Sequence, residues 1–420
     1  MSPRFLPPGV HLDDPAAATY APDLVEARRW LALIAAASLL GATCRADAVP
    51  PDAADPGRIP VTVWFHGALS GDFRSLVIHA FQGAQMRIEE LNAEEDFPAV
   101  ITLEGADTQG DRVRAPGVAQ RVAAEPRTVA VIGPAFAGET ETSGDIYEAA
   151  GIPFVTPSAP DPALAERGWE HWYRTVGTEE DQARPMGEWM AERHASIFVA
   201  HDQSDYGQGL AEAVAEAAGQ AGASIVKVEG ALPAEVYSEL IGEVEASGAE
   251  ALFYGGYDVQ TGLIVTQARD AGLEIPIYSG EGSLSTTLLD LTGETGADVF
   301  LSCPCNLEGE GGFRSRYEGV YGESGVPLFA AEGYDVASLI GEGIRSAVEG
   351  GADDPAGIRA GIKTFLDSLT IEAPFQGVAK SIAFANDHEL AALDRRSLIF
   401  LYEVEPGRIT PEGNAADLLG

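Results

Sequence analysis

Short apolar runs alternate with amphipathic segments along the chain from Ile59 onward. The run 61–65 is apolar at four of its five positions and has the length of a buried strand. Between Phe73 and Leu91 the apolar positions then recur at i, i+3, i+4 and i+7, the spacing of one helix face. Because this unit repeats, the pattern predicts an α/β protein with parallel sheets that are covered by helices on both faces.

The predicted units fall into two rounds, separated near Gly177. The first round supplies strands at 61–65, 99–103, 129–132 and 153–156, with helices at 113–124 and 139–150. The second supplies strands at 196–200, 224–228, 251–254, 275–278 and 298–302, with helices at 206–221, 235–247 and 258–271. Three further helices (310–322, 329–349, 354–367) and a late strand (397–404) follow. Two such rounds predict two doubly wound parallel-sheet lobes.

Charge narrows the range of partners. The 420 residues include 65 Asp and Glu against 26 Lys and Arg, which gives a formal net charge of −39. A surface this acidic repels phosphate backbones and anionic lipids, so we expect no nucleic-acid partner. The chain also lacks a Walker A loop, a Gly-x-Ser-x-Gly elbow and a paired-histidine zinc motif, which argues against an enzyme and against a metal or other cofactor.

The N-terminal region has the pattern of an export signal. Arg28 and Arg29 precede an uncharged, mostly apolar run at 30–43, which is shorter than the roughly 20 residues needed to cross a bilayer. A small-x-small cleavage pattern follows at 46–48. We therefore expect residues 1–48 to be a disordered extension plus a signal peptide, exported by the ordinary secretory or the twin-arginine route. Lipid attachment at Cys44 is the disfavoured alternative.

Two cysteines, Cys303 and Cys305, are separated by one proline. A metal or redox pair usually has two intervening residues and further ligands. We therefore expect both to be small, half-buried side chains without a function of their own.

Several segments resemble a known family in consistent order. They are DIYEAAGIPFVTP (145–157), YRT (173–175), HDQSDYGQGL (201–210), YGGY (254–257) and GEG (280–282). Together they resemble the leucine/isoleucine/valine-binding family of periplasmic solute receptors for ABC transporters. The resemblance extends from about 60 to about 366 and weakens over the last part of the chain.

This resemblance implies a type I periplasmic-binding fold, in which two lobes are joined by a three-crossing hinge. Lobe 1 would comprise 58–175 and 306–397. Lobe 2 would comprise 176–305 and 398–415. The crossings would fall near 175–177, 303–306 and 397–401, and the ligand would lie in the cleft between the lobes.

The resemblance also implies the roles of individual residues. Glu281 matches the acidic residue that pairs with the α-ammonium of the ligand, and Gly282 follows it. Tyr206 and Tyr257 match the aromatic side chains that cover the ligand from the second lobe. Leu76 would line the side-chain pocket together with Phe73, although ordinary helix packing explains these two equally well.

Three positions concern the carboxylate and ammonium contacts. Ala137 stands where the family has a serine for the ligand carboxylate, and Pro160 replaces a residue that offers an N–H and a hydroxyl. Ser158 matches a position whose carbonyl contacts the ammonium. The lost donors would cost about 1–3 kcal/mol each, unless the Ser158 hydroxyl, Thr140 or the Asp161 N–H replaces them.

These observations predict a monomeric extracytoplasmic solute-binding protein of an ABC importer, located in the periplasm. Its partners would be a small amphoteric ligand, a branched-chain amino acid first of all, and a membrane permease. Two alternatives stay open. One is a ligand sensor for an amide, urea or related solute on the same fold. The other is an enzyme that uses Glu281, Tyr206 and His201.

Overall fold

The computed structural model describes residues 57–322 and 326–420. The segment predicted as extension and signal peptide, 1–48 with Cys44, lies outside the described residues. Within the described part of the chain, no helix combines the length and the apolar character that crossing a bilayer requires.

The first part of the chain forms a parallel sheet with helices between its strands. Its elements are β1 (Ile59–Gly67), α1 (Ile78–Ala93), β2 (Ala99–Asp107), α2 (Ala115–Ala124), β3 (Thr128–Ile132), α3 (Ala137–Ala149), β4 (Phe154–Thr156) and β5 (Trp172–Arg174). The five strands are all parallel, in the order β2-β1-β3-β4-β5. Every residue of β3 and β4 is buried, as their largely apolar sequences predict.

The next part repeats this arrangement. Its elements are α4 (Glu179–Ala191), β6 (Ser196–His201), α5 (Asp205–Gln220), β7 (Ser224–Gly230), α6 (Ser238–Ser247), β8 (Ala251–Gly255), α7 (Asp258–Asp270), β9 (Ile277–Ser279), α8 (Thr286–Thr292) and β10 (Val299–Cys303). Helix α4 is not among the predicted helices, although a capping box between Thr178 and Asp181 starts it.

The last part adds two strands to the sheet of the preceding part and forms a small antiparallel two-stranded sheet of its own. Its elements are α9 (Phe313–Tyr321), α10 (Ala330–Glu349), α11 (Pro355–Asp367), β11 (Phe375–Gln376), β12 (Ser381–Ile382), β13 (Phe400–Glu405), β14 (Arg408–Asn414) and α12 (Ala415–Leu419). Short 3-10 turns lie at Arg74–Leu76, Pro162–Arg167, Glu281–Ser283, Gly293–Thr295 and Arg395–Leu398.

The second sheet is mixed rather than purely parallel. Its seven strands have the order β14-β13-β10-β9-β8-β6-β7. Strand β13 runs antiparallel to β10, and β14 runs antiparallel to β13. The predicted late strand therefore exists, but it forms an antiparallel hairpin with β14, for which Gly407 supplies a left-handed turn residue at φ +77°.

The chain passes between the two sheets three times. It goes from β5 to α4 and β6, then from β10 to α9 and α10, and finally from β12 to β13. Helix α10 packs on α1 of the first sheet, where a Cβ at Gly83 would lie 1.9 Å from the Ala330 carbonyl oxygen and one at Gly333 would lie 2.1 Å from that of Ala80. These glycines allow the two helix backbones to approach closely. The bounds given above for the two lobes stay a prediction.

The cysteine pair differs from the expectation. Cys303 and Cys305 are both fully buried and are joined to each other by a disulfide. The hydroxyl of buried Tyr402 donates a hydrogen bond to the Cys305 carbonyl oxygen at 2.8 Å. The pair therefore closes a small covalent ring where the chain leaves the second sheet.

Candidate ligand-binding cleft

The carboxyl ends of strands from both sheets border one cavity of about 320 Å³. This is the edge of a parallel sheet at which ligands bind, and the volume suits a small metabolite. The first sheet contributes the segments that follow β1 to β5, the second contributes those that follow β6, β8 and β9, and Leu328 and Phe329 complete the wall before α10.

All eight residues named as candidate ligand contacts line this cavity. They are Leu76, Ala137, Ser158, Pro160, Tyr206, Tyr257, Glu281 and Gly282. Phe73 also lines it. The structure thus brings together positions that are up to 206 residues apart in sequence, from Leu76 to Gly282. Their contacts with a ligand stay a prediction.

Glu281 lies on the 3-10 turn after β9 and is 6% exposed. Its Oε2 accepts a hydrogen bond at 2.5 Å from Nε2 of the fully buried Gln182. The same Nε2 lies 3.0 Å from both the carbonyl oxygen and Oγ of Ser302. Burial raises the pKa of Glu281 to about 6, although the Gln182 hydrogen bond opposes this rise. A cation entering the cavity would restore the charged form.

Two glycines hold Glu281 against the aromatic wall. A Cβ at Gly280 would lie 2.5 Å from the Tyr206 hydroxyl, and one at Gly282 would lie 2.8 Å from the Tyr206 ring. Without these side chains, the Gly282 N–H can donate to the Tyr206 hydroxyl at 3.1 Å. The Tyr206 and Tyr257 ring centroids are 5.4 Å apart. The GEG segment therefore sets both the position of its carboxylate and the packing of the tyrosines.

Phe73 connects the walls that come from the two sheets. Its ring lies edge-on to Tyr257 at 5.6 Å and to Phe136 at 5.9 Å between centroids. Leu76 is buried beside it, whereas Phe73 is 38% exposed. A half-exposed aromatic ring that touches both walls favours a role at the cleft over ordinary helix packing.

Ala137 and Pro160, the two positions that differ from the family's carboxylate-binding residues, lie on one wall of the cavity. This wall has few free hydrogen-bond donors. The Ser158 hydroxyl donates to the Ala135 carbonyl oxygen at 2.8 Å, and the Thr140 hydroxyl donates to the Phe136 carbonyl oxygen at 3.0 Å. Asp161 is not among the residues that line the cavity. The two hydroxyls are therefore already engaged, which leaves the backbone N–H groups at the start of α3 as donors on this wall.

Two buried glutamates in the cavity wall were missed by sequence reasoning. Glu179 is the first residue of α4 and Glu139 lies in the first turn of α3. Burial raises the pKa of Glu179 to about 8 and that of Glu139 to about 7. A glutamate in the first turn of a helix is ordinary in sequence, so only the Thr178 capping box that places Glu179 could have drawn attention to it.

Arg112 forms two ion pairs at the exposed mouth of the cavity. Arg112, after β2, lies 2.7 Å from Glu141 in α3 and 3.1 Å from Asp205 at the start of α5. The contact to Asp205 joins the parts of the chain that carry the two sheets. His201, named in the enzyme alternative, does not line the cavity, so the three groups of that alternative are not brought together there.

The sequence profile of the periplasmic binding protein family matches residues 60–404. The chain belongs to this family. The resemblance drawn from the motifs is thereby confirmed, and the family is one of solute-binding proteins rather than enzymes.

Curated relatives in this family carry names that state their ligands. The chain is 30% identical over 246 residues to the Leu/Ile/Val-binding protein of Escherichia coli strain K12. The aligned region covers 58% of this chain and 67% of that protein. It is 28% identical over 274 residues to the leucine-, isoleucine-, valine-, threonine- and alanine-binding protein of Pseudomonas aeruginosa, covering 64% of this chain and 73% of that protein.

Solved structures confirm the type I fold. One is the substrate-binding protein LivJ of a branched-chain amino acid transporter from Streptococcus pneumoniae with isoleucine bound (TM-score 0.71, 21% identity, 83% of this chain and 97% of that one). Another is a solute-binding protein of an ABC transporter from R. palustris with benzoate bound (TM-score 0.70, 15% identity, 86% and 96%). Because these two ligands differ in charge and shape, the fold does not determine which ligand this periplasmic binding protein takes.

Proposed function

We propose that this chain is the extracytoplasmic receptor of an ABC importer and binds a small amino solute with a branched aliphatic skeleton in the cleft between its sheets. The branched-chain amino acids named for its relatives are the first ligands to test. We also propose that residues 1–48 direct export to the periplasm and that the protein delivers its ligand, as a monomer, to a membrane permease.

The buried carboxylate of Glu281 carries this proposal. It stands in a cavity whose other walls include Leu76, Phe73 and Phe136, so a positive amino group and an aliphatic chain can both be accommodated. Burial strengthens the attraction between a carboxylate and a cation, because the local dielectric is lower than in water. Contacts that depend on both sheets favour the closed arrangement when ligand is bound.

Ligand screening by thermal shift tests the proposal, because a solute that binds only the folded state raises its melting temperature. We expect at least one of leucine, isoleucine, valine or their amine and amide analogues to stabilise the protein. Glu281→Gln should weaken that binding by about tenfold or more, since it removes a charge-assisted hydrogen bond. Glu294→Gln, which changes an exposed glutamate, is the matched control and should leave binding unchanged. An absence of any stabilising amino solute would contradict the proposal.

A further inference from the structure

The cavity is lined by more acidic than basic side chains. Glu139, Glu179 and Glu281 line it and are each less than 9% exposed. Arg112 is the one cationic side chain among its described lining residues, and both of its ion pairs are to other carboxylates. Three buried carboxyl groups therefore face the cavity without a positive partner from the described part of the protein.

The carboxyl group of Glu179 has no partner within the described part of the protein. It is 8% exposed and makes neither a side-chain hydrogen bond nor an ion pair with the described residues. A Cβ at Gly209 of α5 would lie only 2.8 Å from Glu179 Oε2, so the absence of a side chain there leaves room for the carboxylate. A buried carboxyl group without a partner is costly, which points to a partner that arrives with the ligand.

The occupant that these carboxyl groups suit is an organic cation. Within the described residues, no three His, Cys, Asp or Glu side chains are arranged to hold a metal ion. A ligand carboxylate, in turn, would meet Ala137 and Pro160, which offer no side-chain donor, and a Ser158 hydroxyl that already donates to a backbone carbonyl. Only the backbone N–H groups at the start of α3 remain as donors on this wall. The ligand carboxylate would also share the start of α3 with the Glu139 carboxyl, to which Thr108 donates.

We infer that the cleft selects an amino solute that lacks a free carboxylate, so that the bound ligand carries a net positive charge. This inference rests on the proposed function and narrows its ligand class from small amino solutes in general to aliphatic amines or amino-acid derivatives with a blocked carboxyl group. Glu281 receives the amino group, and Glu179 and Glu139 gain charge when a cation binds beside them, which favours a cation over a carboxylate.

The ionisation of these groups agrees with a cationic ligand. Asp161, Glu281 and Asp205 face Glu179 and raise its pKa, in addition to burial, whereas Arg174 lowers it. A bound cation lowers the pKa of all three glutamates and a bound carboxylate raises it further. Binding of a cation near neutral pH therefore releases protons, and its affinity increases as the pH is raised towards the pKa of Glu179.

A matched pair of ligands tests the inference. L-leucine and 3-methylbutylamine share an amino group and a branched skeleton, and they differ only in the carboxylate. We expect isothermal titration calorimetry to show an affinity for the amine that is higher than that for leucine by about tenfold or more. Titrations in two buffers of different ionisation enthalpy should also show proton release with the amine.

Two variants in α4 distinguish the effect of a carboxyl group at the cavity from the effect of an exposed charge beside it. Glu179→Gln should weaken amine binding about fivefold or more while leaving leucine binding unchanged or stronger. Glu180→Gln removes the same charge from the neighbouring exposed position and should change neither affinity. Thermal unfolding of both variants verifies that they are folded, and the comparison of the two ligands on the unaltered protein needs no variant.

The outcomes distinguish this inference from the proposed function. Tighter binding of leucine than of 3-methylbutylamine would overturn the inference and support the proposed amino-acid receptor. Equal loss of amine affinity in Glu179→Gln and Glu180→Gln would overturn the role of Glu179. If neither ligand nor any amino solute binds, both proposals are wrong.

Discussion

Gln182 Nε2 lies 2.5 Å from Glu281 Oε2 and holds the buried carboxylate at the end of β9. Gln182 belongs to α4, which directly follows the first passage between the sheets. The same residue contacts Ser302 on β10. The group that would receive the ligand is therefore fixed by a helix at the junction and not by its own turn alone.

Replacing this glutamine should weaken binding in a pH-dependent manner. Gln182→Leu removes the donor that lowers the pKa of Glu281, so the carboxyl group becomes more protonated at neutral pH. We expect a loss of affinity for an amino ligand of about three- to tenfold near pH 7, with partial recovery at higher pH. Calorimetric titrations across this range measure it. A uniform loss at every pH would indicate a packing defect instead.

The free protein should lose stability as the pH rises above about 6.5. Burial raises the pKa of Glu139 and Asp335 to about 7 and that of Glu179 to about 8. The folded state therefore binds more protons than the unfolded state in this window, and the free energy of unfolding falls with increasing pH. Burial lowers the pKa of His66 to about 3. His66 therefore has the opposite effect on the free energy of unfolding, but only at pH values below the pKa of histidine in the unfolded chain.

Thermal melts of the ligand-free protein between about pH 6.5 and about pH 8.5 test this expectation. The melting temperature should decrease, and Glu179→Gln should reduce the slope because it removes one of the titrating groups. Glu180→Gln should leave the slope as it is. A melting temperature that rises through this window would contradict the assignment of raised pKa values.

The ion pair at the mouth should influence ligand release. Asp205→Asn removes the contact of Arg112 to the second sheet, whereas Glu141→Gln removes its contact within the first. Exposed pairs contribute about 0.2–1 kcal/mol, so we expect the dissociation rate in Asp205→Asn to rise by no more than about fivefold. Stopped-flow measurements in low and high salt should show that the difference diminishes with screening. Glu141→Gln should have the smaller effect.

The buried pair between Arg174 and Glu389 should matter for stability more than for binding. Arg174 is fully buried, and its Nη1 also donates to the carbonyl oxygens of Ala159 and Asp161 at 3.1 and 2.6 Å. Arg174→Gln leaves Glu389 without its partner, which should lower the free energy of unfolding by about 3–5 kcal/mol. Urea denaturation measures this change.

An exposed pair provides the control for this experiment. Arg184 contacts Glu188 within α4, and its side chain is 74% exposed. Arg184→Gln should change the free energy of unfolding by about 1 kcal/mol or less. A similar loss in Arg174→Gln and Arg184→Gln would contradict the importance of the buried pair.

Most of the fold could be predicted because most of its strands contain a short apolar run. The segment Thr128–Ile132, for example, is buried on both faces and can hardly be mistaken for a loop. Helix α4 was missed because Pro185 lies inside it, and an internal proline is unfavourable in a helix. The edge strand β14 was missed because its residues Arg408–Asn414 include a proline and are mostly polar or exposed.

The site was partly predictable for a related reason. Turns after parallel strands converge on one edge, so Tyr206, Tyr257 and Glu281 were expected to lie together, and all three line the cavity. Glu179 and Glu139 look like ordinary acidic residues near helix starts. Only the three-dimensional structure shows that both are buried against the same space, because burial depends on elements distant in sequence.

The three passages of chain between the sheets have a consequence for cleavage. A protease that cuts within one of them, for example between Ala385 and Arg395 before β13, leaves two uncut connections. The nicked protein would then migrate as two fragments on a denaturing gel but elute as a single particle in native size-exclusion chromatography. Its affinity for the solute would be largely unchanged.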